Sequence, residues 1–110
     1  MEKTTAEDVG NAWNMFVATM LKFRQQNNMK KFDGSLYEIC TSLGDKHGRI
    51  CRYVKHSERN DPKPDHPEGM WKEMAGYINY LTIMQDVYGM DIGYGIESEL
   101  SSSVGQYGGK

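Results

Sequence analysis

The sequence predicts an all-α protein, a small helical bundle of three to four helices. Three segments carry apolar residues at mixed three- and four-residue steps, which is the spacing of one helix face. Strand-like alternation is almost absent, and all three prolines fall between the second and third segments. A chain of 110 residues is long enough for one domain and too short for two. We expect residues 1–100 to form that domain and the Ser- and Gly-rich residues 101–110 to form a flexible tail.

The first predicted helix starts near the N-terminus of the chain. Thr4 or Thr5 can accept the cap hydrogen bond, and Glu7 and Asp8 suit the positive end of the helix dipole. Its apolar face comprises Val9, Trp13, Phe16, Val17, Met20 and Phe23. A turn at Asp33-Gly34 separates it from the next helix.

The second predicted helix runs from Ser35, a good N-cap, to His56. Its apolar stripe has the spacing of a bundle seam and comprises Leu36, Ile39, Leu43, His47, Ile50 and Val54. Cys40 and Cys51 on this helix stand about 16 Å apart at 1.5 Å per residue, too far for a disulfide. We expect both to be buried, reduced thiols.

The third predicted helix runs from Pro67 to Tyr88, where Gly89 can end it. Its stripe comprises Met70, Met74, Ile78, Leu81, Gln85 and Tyr88. A short fourth helix is expected around Ile96–Leu100. Three such helices present more apolar face than one short chain covers, so we expect a homodimer or homotetramer to complete the bundle.

Charge and hydropathy exclude several classes of partner. The formal net charge of −2 gives no basic excess for duplex nucleic acid. No apolar run approaches the ~18 residues of a membrane span, and the polar N-terminus lacks the apolar region of a signal peptide. We therefore expect a cytoplasmic protein without a membrane or duplex nucleic acid partner.

Polar residues beside the apolar stripes indicate a ligand groove. One flank of the second helix carries Glu38, Ser42, Lys46, Arg49, Tyr53 and His56, and one flank of the third carries Glu73, Tyr77, Tyr80 and Met84. Antiparallel packing would bring these flanks together into a cationic, tyrosine-rich groove. Cations meet phosphates and aromatic rings stack on bases, so the groove suits a nucleotide. The ligand-binding candidates are Lys46, Arg49, Tyr53, His56, Tyr77 and Tyr80. The alternative is that Lys46 and Arg49 reach water and pair with Glu73 or Glu38.

Two helical segments and a closing turn resemble a known family. The segments are "DKHGRI" (residues 45–50) and "KEMAGYINYL" (residues 72–81), and the turn is "YGMDI" (residues 88–92). Together they resemble the MazG-like nucleoside triphosphate pyrophosphohydrolases, which carry Glu-Glu-x-Gly-Glu on one helix and Glu-Glu-x-x-Asp on the next. The resemblance covers residues 36–92, about half the chain.

The resemblance implies a magnesium-dependent chemistry and also a departure from it. In the family, acidic residues hold Mg²⁺, which helps water attack a nucleoside triphosphate to give a monophosphate and pyrophosphate. The metal-binding quartet would fall on Lys46, Arg49, Glu73 and Gly76, where only Glu73 is a carboxylate. If the protein is active, Glu73 is the expected metal ligand, and Glu73, Glu38 and Asp45 are the catalytic candidates. A register shifted by one turn would use Glu38, Asp45, Glu73 and Asp86.

Three functions therefore remain open from the sequence. The first is Mg²⁺-dependent hydrolysis of a nucleoside triphosphate. The second is metal-independent, non-catalytic binding of a nucleotide or similar anion by Lys46 and Arg49, which stand where the family keeps carboxylates. The third is a structural or partner-binding helical bundle.

Overall fold

The computed structural model describes residues 3–60 and 67–108, and these ranges form four α-helices with no strand. The all-α prediction is therefore confirmed. The chain divides into two compact units: unit 1 comprises Met1–Lys31 and Gln85–Lys110, and unit 2 comprises Phe32–Met84. Among the described residues, no helix combines the length and apolarity that crossing a bilayer requires.

Helix α1 spans Ala6–Gln26 and begins at Thr5, the second of the two predicted caps. The Thr5 hydroxyl accepts a hydrogen bond from the Asp8 backbone N–H at 3.1 Å, and the Asp8 carboxylate accepts the Thr5 N–H at 2.9 Å. This reciprocal pair satisfies two backbone donors that the first turn would leave open. Asn28, with φ of 53°, lies just beyond the end of the helix.

Helices α2 (Leu36–Glu58) and α3 (Glu68–Tyr88) lie within two residues of their predicted bounds. The Ser35 hydroxyl accepts the Glu38 N–H at 3.1 Å, which caps α2. Gly89 ends α3 with φ of +65°, a conformation that residues with a Cβ rarely adopt. Helix periodicity and caps are local signals, which explains why these bounds were predictable.

Helix α4 spans Ile92–Tyr107 and is three times longer than the predicted Ile96–Leu100 segment. Residues 101–107, which we expected to belong to a flexible tail, are helical. Serine and glycine have poor helix propensity, which hid the helix in the sequence. Packing against α1 supplies the stability that the low helix propensity of this segment does not provide.

The α1–α4 packing of unit 1 depends on two glycines. A Cβ on Gly10 would lie 2.6 Å from the carbonyl oxygen of Gly93, and a Cβ on Gly93 would clash with the Asn14 side chain. Both positions are buried. The two helices therefore approach each other more closely than larger residues would allow.

Gln85 joins three parts of unit 1 through its side-chain amide. Its Oε1 accepts hydrogen bonds from Trp13 Nε1 at 2.9 Å, Ile92 N at 3.0 Å and Gly93 N at 3.3 Å. Its Nε2 donates to Asn14 Oδ1 at 2.8 Å. The sequence placed Gln85 on an apolar stripe and gave no sign of this role. Together with Asp91, which accepts the Tyr94 N–H, Gln85 satisfies the first backbone donors of α4.

Unit 2 has a small core. Ile39 is fully buried and Tyr53 is 8% exposed, and Thr82, which lies beside the predicted stripe, is also fully buried. Several predicted stripe residues instead remain accessible: Val54, Met74 and Ile78 are about 40% exposed. Cys40 and Cys51 are exposed free thiols, so the expectation of burial was wrong. They lie on the solvent side of α2, next to the stripe and outside it.

Candidate anion-binding site

The structure brings the four quartet positions together within unit 2. Lys46 and Arg49 lie one turn apart on α2, and Glu73 and Gly76 lie one turn apart on α3. Each pair therefore lies on a single helix face. We call Lys46, Arg49, Glu73 and Gly76 the quartet site.

Both cations converge on a single oxygen atom. Lys46 Nζ and Arg49 Nη1 each lie 3.5 Å from Oε2 of Glu73. The Lys46 and Glu73 side chains are only 21% and 20% exposed, whereas that of Arg49 is 44% exposed. Optimal charge-assisted bonds are about 0.7 Å shorter, so Glu73 Oε2 is shared loosely between the two cations.

Asp45 holds the outer side of the Arg49 guanidinium. Its Oδ2 lies 2.8 Å from Arg49 Nη2, one helical turn along α2. This is a well-formed but exposed ion pair, and such pairs add only ~0.5 kcal/mol. The pair orients the Arg49 guanidinium: Asp45 holds it from one side, and Nη1 faces Glu73 on the other.

The Lys46 side chain occupies the space next to Gly76. A Cβ at residue 76 would lie 2.7 Å from Lys46 Cε, 2.8 Å from Nζ and 3.1 Å from Cδ. The sequence comparison interpreted Gly76 as a lost ligand. In the structure, the missing side chain leaves the space through which the lysine reaches Glu73. A sequence signal could have suggested this contact: a cation lies on one helix, and on the next helix a glycine follows a carboxylate by three residues.

The donor set of the quartet site does not fit a magnesium ion. One carboxylate is present, and two fixed positive charges lie within 3.5 Å of its oxygen. Mg²⁺ requires oxygen ligands and would be repelled by both cations. Among the described residues, no three carboxylate, imidazole or thiol groups lie close enough together to hold a metal.

The remaining predicted site residues differ in their accessibility. His56, Tyr77 and Tyr80 are half-buried. They share helix faces with the quartet site, His56 on α2 and the two tyrosines on α3. Tyr53 is buried, so its ring has almost no face open to a ligand, in contrast to its predicted role.

Of the carboxylates in the shifted register, Glu73 belongs to the quartet site and Asp45 contacts Arg49 at its edge. Glu38 is exposed in the first turn of α2, about 10 Å along the helix axis from Asp45. Asp86 belongs to unit 1 and Glu73 to unit 2.

Comparison of the chain with protein-family models, with curated proteins and with solved structures returned no match. The resemblance to the MazG-like family therefore stays a prediction from the residues.

Proposed function

We propose that the protein binds the phosphate groups of a small phosphorylated molecule, such as a nucleotide, at the quartet site without a divalent metal and without hydrolysing it. The observation that carries this proposal is the convergence of Lys46 and Arg49 on Glu73 Oε2. That oxygen marks a position where an anion is held by two cations from one helix.

A phosphate oxygen can replace the Glu73 carboxylate at this position. Both contacts with Glu73 are 3.5 Å long, beyond the ~2.7–2.9 Å of a well-formed charge-assisted bond, so a ligand that bonds the same two cations at shorter distances can compensate for their loss. A phosphate carries up to two negative charges and several acceptor oxygens, so it can contact both cations at shorter distances. Glu73 then acts as a competitor that the ligand displaces.

The half-buried tyrosines of α3 support a ring-bearing ligand. Tyr77 and Tyr80 follow Glu73 on the same helix face. Their rings can stack on a base while the cations contact the phosphates. A nucleotide can therefore contact both the tyrosines and the cations, whereas inorganic phosphate contacts only the cations.

The test measures binding of ATP, GTP, CTP and UTP by calorimetry and thermal shift, each with Mg²⁺ and with EDTA. We expect at least one nucleotide to bind equally well in both conditions. The variant Lys46→Ala/Arg49→Ala should lose that binding. The matched control Arg52→Ala/Lys55→Ala removes the same charge from exposed positions of α2 and should keep it.

Two outcomes would overturn the proposal in different ways. Binding that requires Mg²⁺, with pyrophosphate released and detected by phosphorus NMR, would instead establish the pyrophosphohydrolase. No binding of any nucleotide would leave the quartet site as an ion-pair cluster that joins α2 to α3, and the protein as a structural or partner-binding bundle.

A further inference from the structure

Helix α1 carries an apolar row beside the face that packs on α4, and the first residues of this row, Ala6 and Val9, border a groove that Leu100 and Val104 of α4 also line. Gly10 and Val17 are buried, lie seven residues apart and share the side of α1 that meets α4. The residues one position earlier, Val9 and Phe16, lie about 100° around the helix. They belong to an unbroken apolar row, which we call the α1 seam: Ala6, Val9, Trp13, Phe16, Met20 and Phe23.

The spacing of the α1 seam is that of a paired helix. Its steps alternate between three and four residues throughout, which is the a/d pattern that lets one helix insert its side chains into another. Half of the seam is accessible: Val9 is 39%, Phe16 43% and Phe23 55% exposed, whereas the other three seam residues, Ala6, Trp13 and Met20, are half-buried. A row of this kind needs a partner helix to remove it from water.

The centre of the α1 seam is already rigid. Trp13 donates its indole N–H to Gln85, which fixes the ring plane. The Trp13 and Phe16 rings lie 5.7 Å apart at 39°. Aromatic side chains held in place before binding lose little entropy in a complex, and tryptophan is a frequent anchor of interfaces.

The geometry points to a second copy of this chain as the partner, with its α1 antiparallel to the first. In that arrangement the seam is complementary to itself. Ala6 meets Phe23 of the second copy, Val9 meets Met20, and Trp13 meets Phe16. Each small residue faces a large one, and the two central aromatic pairs lie about the two-fold axis.

The charge distribution favours the antiparallel over the parallel direction. The first turn of α1 carries Glu7 and Asp8, whereas its last part carries Lys22 and Arg24. Antiparallel helices bring ends of opposite charge and opposite dipole together, whereas parallel helices bring like charges together. From Ala6 to Phe23 the helix is about 27 Å long, so one helix pair forms a small interface and we expect a micromolar dissociation constant.

Sedimentation velocity of the full chain between about 1 and 200 µM tests this dimer. We expect a monomer–dimer equilibrium that Phe16→Glu weakens at least tenfold. Met15→Glu is the matched control, because Met15 is 73% exposed on the same helix but lies off the seam. Far-UV circular dichroism shows whether each variant folds, and Phe23→Glu, at the more exposed end of the seam, replaces Phe16→Glu if that variant unfolds.

Cysteine crosslinking tests the direction of the helices. In a Cys40→Ser/Cys51→Ser background, Ala12→Cys and Thr19→Cys place thiols on the flank of the seam. An antiparallel pair brings residue 12 of one copy near residue 19 of the other. Mixing the two single variants should therefore give a disulfide-linked dimer that neither gives alone. A monomer at every concentration, a dimer unaffected by both seam variants, or crosslinking of one variant with itself would overturn the proposal.

Discussion

The Lys46 side chain lies across the backbone of Gly76, so that a Cβ at residue 76 would stand 2.8 Å from the lysine Nζ. The absence of one side chain on α3 thus decides where a cation on α2 can lie. Lys46 is then held against Glu73 with only 21% of its side chain exposed. The position of Lys46 against Glu73 therefore depends on Gly76, and substitution of Gly76 can test this dependence.

Gly76→Ala should separate ligand binding from stability. The added methyl group displaces the flexible end of Lys46, so we expect phosphate or nucleotide affinity to fall several-fold. Stability should stay the same or rise, because alanine gains up to about 1 kcal/mol of helix propensity and the Lys46–Glu73 contact, at 3.5 Å, is longer than a well-formed ion pair. Calorimetry and urea unfolding give the two quantities. Gly44→Ala, with no atom within 4 Å of the new Cβ, should gain stability without changing affinity.

Glu73→Gln distinguishes a displaced competitor from a metal ligand. If Glu73 competes with phosphate for Lys46 and Arg49, removal of its charge should strengthen nucleotide binding several-fold in EDTA. A metal ligand would give the opposite result, a loss of Mg²⁺-dependent binding and hydrolysis. Calorimetry measures the nucleotide affinity in EDTA and in Mg²⁺, and so distinguishes the two results. Glu58→Gln, which removes an exposed carboxylate at the end of α2, should change neither.

Gly10→Ala should destabilise the α1–α4 packing of unit 1. Its Cβ would meet the Gly93 carbonyl oxygen, a backbone atom that can move only if the helices separate. We expect a net loss of about 1–3 kcal/mol in the free energy of unfolding despite the better helix propensity of alanine. Gly95→Ala on α4 is the control, since its Cβ meets nothing within 4 Å. That substitution should raise stability by up to about 1 kcal/mol in the same urea titration.

Gln85→Met tests the amide that joins α1, α3 and α4. Methionine has similar volume but leaves Trp13 Nε1 and the Gly93 N–H without their acceptor, whereas the Ile92 N–H keeps its hydrogen bond to the Met90 carbonyl oxygen at 2.9 Å. We expect a loss of about 2–3 kcal/mol, because unsatisfied part-buried donors are costly. Gln25→Met, at an exposed position of α1, should stay within about 0.5 kcal/mol. A Gln85→Met variant as stable as the parent protein would contradict the proposed role of the amide.

The sequence alone determined the helices whose signals are local. Caps such as Thr5 and Ser35 and the apolar steps of α1, α2 and α3 depend on residues a few positions apart, so they can be identified without knowledge of the fold. Helix spacing likewise predicts that Lys46 shares a face with Arg49 and that Glu73 shares a face with Gly76, whereas the choice of these four positions came from the resemblance to the MazG-like family.

Tertiary structure decided what depends on residues far apart along the chain. Gln85 and Trp13 are 72 positions apart, and neither shows in its own segment that it will bond the other. Helix α4 forms over serines and glycines because α1 lies against it, and Gly10 allows that approach. The convergence of Lys46 and Arg49 on one oxygen of Glu73 depends likewise on the packing of α2 against α3. Local periodicity fixes the face on which a side chain lies, whereas the distance between two faces depends on close packing of the whole unit.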